Sequence, residues 1–157
     1  MKTKALFFIF MGFISLHSLN AQTRLYISTD GNDSWSGTLS EPNSQKSDGP
    51  LATLPGARDA IRQLHNRGSA EPITVHFRQG NYLLSDPVTF KPEDSGLPNA
   101  PIIYTNYPGE EVTISGGRAI AGKWQKHQNG IWKIKIPGEW TFNQLFVNGK
   151  RQTRART

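Results

Sequence analysis

From residue 73 the chain alternates, with apolar Ile73, Val75 and Phe77 interleaved with polar Thr74, His76 and Arg78. A period of two predicts a strand with one face buried. Shorter runs of the same kind recur at residues 82–84, 88–90, 102–105 and 112–114, with Gly, Pro, Asn, Asp and Ser between them, the punctuation of successive strands and turns. Residues 25–28 read as an earlier short strand, followed by a polar loop over residues 29–50. One segment switches to helical spacing. Ala57, Ala60, Ile61 and Leu64 share one face, and Arg58, Asp59, Arg62 and Gln63 share the other, as an amphipathic helix requires. Thr53 is placed to cap its start, Pro55 sits in its first turn and Gly68 follows its end.

The spacings from Val75 to Ile103 and from Val88 to Val112 are of the size that separates successive coils of a solenoid. An antiparallel sandwich gives strands of similar length, and connectivity separates the two: solenoid strands stack in parallel, sandwich strands pair through hairpins. The last forty residues change character. Trp124, Trp132 and Trp140 fall close together, residues 131–136 alternate apolar with basic, and Asn148-Gly149 sits between two short runs as a hairpin turn. Residues 145–152 read as a hairpin about that turn.

The first 21 residues carry Lys2 and Lys4, an apolar run too short to span a bilayer, and a small-residue end at Ala21. That arrangement predicts a secretory signal peptide cleaved after Ala21, hence a secreted or periplasmic protein. The chain has no cysteine, which excludes a disulfide framework, thiol chemistry and a lipid-modified cysteine. Its formal charge of +6 falls by two with the signal peptide, a mild surplus that calls for no nucleic-acid partner. Lys150, Arg151, Arg154 and Arg156 crowd the end, where they either meet an anionic polymer or stay solvated.

Candidate chemistry is sparse. Asp30, Asn32, Ser34, Ser36, Thr38 and Glu41 occupy the ligand positions of a calcium loop, but Trp35 stands where the sharp turn needs glycine, so a hydrogen-bonded turn is expected instead. Residues 117–123 approximate a phosphate-binding loop, yet Trp124 replaces the hydroxyl that would hold magnesium and no helix follows. Glu93 with Asp94 and Glu110 with Glu111 lie in turn-like sequence and read as solvated charge, since neighbours in extended chain cannot face each other across a glycosidic bond. His65, His76 and His127 lack metal-ligand spacing. No catalytic residue, metal or cofactor is assigned. Trp35, Trp124, Trp132 and Trp140 are candidates for saccharide contact; Trp35 and Trp124 are taken as the platforms, with Arg154 and Arg156 as accompanying contacts, whereas Trp132, beside Ile131 and Ile134, reads rather as core or half-core.

Two stretches, residues 26–64 (YISTDGNDSWSGTLSEPNSQKSDGPLATLPGARDAIRQL) and 142–157 (FNQLFVNGKRQTRART), resemble the N-terminal region of bacterial secreted, pectin lyase-like right-handed parallel β-helix proteins. The resemblance is to proteins similar to glycoside hydrolase family 141. It implies a mainly β fold: the start of a right-handed parallel β-helix, a capping α-helix and the beginning of a small inserted β domain. The implied division is a signal peptide over residues 1–21, the cap and first coils over residues 22–117, and the inserted domain from residue 118 to residue 157, where the resemblance makes the chain a fragment. The parent would be a carbohydrate-active enzyme acting on polysaccharide, with its catalytic carboxylates on later coils, so this chain alone is expected to be inactive. Its open strand edges would favour self-association. The alternatives are a non-catalytic secreted module that binds carbohydrate or assists surface assembly, and a small structural protein closed by its final hairpin.

Overall fold

The computed structural model describes residues 22–136, 138 and 141–153; the expected signal peptide, Trp140, Arg154 and Arg156 lie outside them. The chain is β-rich with one α-helix and divides by packing into two units, Met1–Gly116 and Gly117–Thr157.

In the first unit, strands β1 (Thr23–Ile27), β2 (Ile73–Phe77) and β4 (Ile102–Asn106) form a parallel sheet in the order β1-β2-β4. Strands β3 (Gly80–Leu83) and β5 (Val112–Ser115) form a second parallel pair. Val75 lies opposite Leu25 on one side and Tyr104 on the other, so inward residues stack in rows across the strands. Leu51 adds a parallel bridge to Ile27. All the strands of this unit pair in parallel, apart from an isolated antiparallel bridge between Leu97 and Ala100, which is not the hairpin connectivity of an antiparallel sandwich.

The core follows from the alternation. Leu25, Ile27, Ile73, Val75 and Phe77 are buried on one face, closed by Leu51, by Ala57 and Ile61 of α1 (Leu54–Asn66), and by Tyr82 of β3. The Tyr82 hydroxyl donates to the carbonyls of Ile27 (3.1 Å) and Arg78 (2.7 Å), and burial raises its pKa. The helix begins at Thr53, whose Oγ1 accepts from the Gly56 N–H at 2.9 Å. Helix and cap stand where the sequence places them.

Three expectations change. Residues 88–90 form no strand; Phe90 instead sets its ring edge-on to Tyr104, 5.7 Å between centroids. Val112 therefore pairs with Gly80, and the interval from Val88 to Val112 is no coil repeat. Thr74, expected on the polar face, is buried, its hydroxyl accepting from the Gln22 amide at 2.8 Å.

The second unit consists, among the described residues, of two small antiparallel pairs: β6 (Gln125–Lys126) with β7 (Trp132–Lys133), and β8 (Leu145–Val147) with β9 (Lys150–Gln152). Asn148 (φ 49°) and Gly149 (φ 73°) make the two-residue turn that matches strand twist. None of these strands has a buried residue. Trp132, expected in a core or half-core, is 54% exposed and carries the Lys126 ammonium 5.7 Å above its ring.

Candidate functional site

The loop between β1 and α1 is shaped by its own side chains. The Asn32 Oδ1 accepts from the Ser34 N–H and hydroxyl (2.9 and 2.8 Å), and the Asp48 carboxylate accepts from the Ser36 N–H and hydroxyl (2.8 and 2.9 Å). The hydrogen bonds from Ser36 hold the Asp48 pKa below the ordinary carboxylate value. Of the calcium-like positions, Asn32, Ser34, Ser36 and Thr38 thus turn back into the loop, while Glu41 reaches the Arg78 guanidinium at 3.6 Å. Asp33 reaches across to the helix start, accepting from the N–H groups of Ala52 and Thr53 (2.8 and 2.9 Å) and from the Thr53 hydroxyl (2.6 Å). A carboxylate there complements the positive end of the helix dipole.

Trp35 is half-buried by this architecture. Its six-membered ring lies so close to Gly49 that a methyl group on that glycine would stand 2.7 Å from Cε3 and Cζ3. The indole also lines a cleft of about 680 Å³ between the loop and α1. The opposite wall is one helical stripe, because Asp59, Gln63 and Arg67 recur every four residues and all three line the cleft. Leu25, Leu51 and Leu64 contribute its apolar lining.

A second cluster covers the polar face of the three-stranded sheet. Tyr26 stacks on His76 (5.7 Å, 24°), His76 meets Tyr107 edge-on (5.9 Å), and the Arg78 guanidinium lies 4.8 Å above the Tyr107 ring. The register that sets Tyr26 beside His76 creates this ladder. His76 Nδ1 is buried there with no hydrogen-bond partner among the described residues.

The acidic pairs read as solvated charge divide in the structure. Asp94, with its side chain 3% exposed, receives two hydrogen bonds from Arg62 (2.6 and 2.8 Å) and one from the Lys91 N–H. Those bonds from Arg62 hold its pKa down at about 2, against the opposing effect of burial. Glu110 accepts from the Arg78 Nε at 3.0 Å and from the Gln79 N–H at 2.6 Å, and the Arg78 hydrogen bond lowers its pKa. Glu93 and Glu111 remain exposed. Each partner arginine lies 32 residues away in sequence, so only the tertiary packing reveals the pairing. Nearby, burial pushes the Tyr104 pKa up to about 12.

Of the saccharide-contact candidates, Trp35 lines the cleft and Trp124 is 53% exposed in the second unit; Arg154 and Arg156 fall outside the described residues. The helical stripe of Asp59, Gln63 and Arg67 was missed by sequence reading, although its four-residue spacing was available. Among the described residues no group of three or more His, Asp or Glu side chains gathers as metal ligands, and no helix is long and apolar enough to cross a membrane.

No protein family matches this sequence, and no curated protein matches it. A solved structure named "Glycoside hydrolase" is similar over 84% of this chain, at 33% identity and a TM-score of 0.69. The chain spans 22% of the length of that protein. Over this stretch the protein is glycoside hydrolase-like in sequence and fold.

Proposed function

We propose that this chain forms the cap and opening coils of a secreted right-handed parallel β-helix that acts on polysaccharide, in the manner of family 141 glycoside hydrolases. The observation that carries the reading is the parallel row of Leu25, Val75 and Tyr104 across three strands, accompanied by the parallel β3-β5 pair. In this reading α1 closes the first coil. The edges of β4 and β5 are the surfaces on which further coils stack or, when left open, copies associate. Residues 118–157 open an inserted β domain, and residues 1–21 direct export and are cleaved off in the course of it.

The segment supplies architecture rather than catalytic carboxylates. Asp33, Asp94 and Glu110 are committed to hydrogen bonds or ion pairs within the fold, and neither member of a neighbouring acidic pair faces its partner across a gap. The reaction is hydrolysis of a glycosidic bond by a pair of carboxyl groups held on later coils.

The test is an assay of the gene's secreted product on a panel of plant and microbial polysaccharides. Release of reducing ends is expected, unchanged in Glu93→Gln and Glu111→Gln, with Gln22 as the first residue of the exported protein. Turnover abolished by either substitution would overturn the architectural role, and release of unsaturated uronates without water addition would replace hydrolysis by lyase chemistry.

A further inference from the structure

We infer that the cleft between the residue 30–38 loop and α1 is a saccharide-binding subsite, separate from any catalytic groove and carried by the cap itself. The inference rests on the carbohydrate reading for its ligand class, and on the cleft's own chemistry for its location. Three features point to a sugar.

The first is a fixed aromatic. Trp35 packs on Gly49, where no side chain fits, so its indole is held in place while it lines the cleft. The apolar C–H face of a pyranose packs on such a ring at little cost in ordering, because the ring is already fixed.

The second is the polar wall. Asp59, Gln63 and Arg67 offer a carboxylate, an amide and a guanidinium in sequence along one helical stripe. These planar groups provide paired acceptors, a donor with an acceptor, and paired donors, the combination that vicinal hydroxyls satisfy. Asp59 stays half-open to solvent despite its 2.8 Å contact with Arg58, which leaves it acceptor capacity. On the loop side the Ser34 and Ser36 hydroxyls are spent on Asn32 and Asp48, so the polar recognition falls to the helical stripe. A volume of about 680 Å³ lies in the usual range of small-ligand sites.

The third feature is an exclusion. The start of α1 would attract a phosphate or another anion, but the Ala52, Thr53 and Gly56 N–H groups are already taken by Asp33 and by the Thr53 hydroxyl. A negative carboxylate stands in the anion's place. The ligand is therefore recognised through hydroxyls and ring faces, with Arg67, near the helix C-terminus, available to a uronate carboxylate.

The experiment is calorimetric titration of the full chain with two probes, a neutral xylohexaose and an oligogalacturonide of equal length. Saturable binding of at least one is expected. Trp35→Ala weakens it about ten-fold, the scale of one lost aromatic contact. Gln63→Ala weakens it several-fold, while Glu93→Gln leaves it unchanged. Gln63 is exposed on the helix and alanine suits a helix, so this variant keeps its fold and guards against a Trp35 variant that does not. Preference for the oligogalacturonide that disappears in Arg67→Ala assigns the guanidinium to the uronate. Binding untouched by both cleft variants would overturn the cleft while leaving the carbohydrate reading standing. No saturable binding of either probe to the folded chain would also overturn the cleft, with the hydrolytic reading still decided separately by reducing-end release.

Discussion

The two units share strand-rich sequence but differ in what their strands do. In the first unit each inward residue meets another across the sheet and beneath the helix, and Ile27, Ile73, Val75 and Ala57 are completely buried. In the second, Trp124, Trp132, Phe146 and Val147 are all about half exposed or more, on pairs two or three residues long. A two-stranded pair alone is marginal in water. Hairpins form from local turn chemistry, while a core needs partners that are distant in sequence.

The sharpest way to break that contrast is to cut the core. Ile61→Ala, on the buried face of the helix, is expected to cost about 2–4 kcal/mol, whereas Phe146→Ala in the exposed hairpin stays within about 0.5 kcal/mol. Denaturant unfolding of both variants measures the difference, and comparable losses would mean that the second unit packs as tightly as the first.

Smaller effects sharpen the comparison. Gly149 has φ near 73°, a conformation that costs an L-residue about 1 kcal/mol, so Gly149→Ala should loosen the β8-β9 turn without moving the unfolding midpoint of the first unit. Backbone chemical shifts of both regions would register this. The Asp94–Arg62 pair provides a pH signature confined to the first unit. Its carboxyl titrates at about 2 in the folded chain, below the ~3.9 of an unfolded aspartate. The stabilisation is thus complete above about pH 4 and is lost as pH falls through about 2. In Asp94→Asn that acid-induced loss should shrink, as read from melting temperatures across this pH range.

What was legible in the sequence follows the same division between local and distant. The Thr53 cap, the Ala57-Ile61 stripe and the Asn148-Gly149 turn are each encoded within a few residues, and each stands where expected. Strand pairing is a long-range choice. Residues 88–90 carry strand-like composition yet find no partner strand, and Phe90 packs on Tyr104 instead. Arg62 and Arg78 read as surface charge because their acidic partners lie on other elements. Trp132, beside Ile131 and Ile134, reads as core or half-core, but it is 54% exposed with the Lys126 ammonium over its ring. Of the candidate saccharide contacts, Trp35 was identifiable as a loop aromatic, while its opposing helical wall emerged only once the loop was seen folded back over α1.

Amide hydrogen exchange, resolved by residue, separates a buried stack from exposed hairpins. The β2 amides of Val75 and Phe77, flanked by strands on both sides, are expected to exchange only through global unfolding. Those of Phe146 and Arg151 should exchange orders of magnitude faster through local opening. Equal protection of the two regions, or rapid exchange at Val75, would contradict the contrast between a stacked, buried first unit and the exposed hairpins of the second.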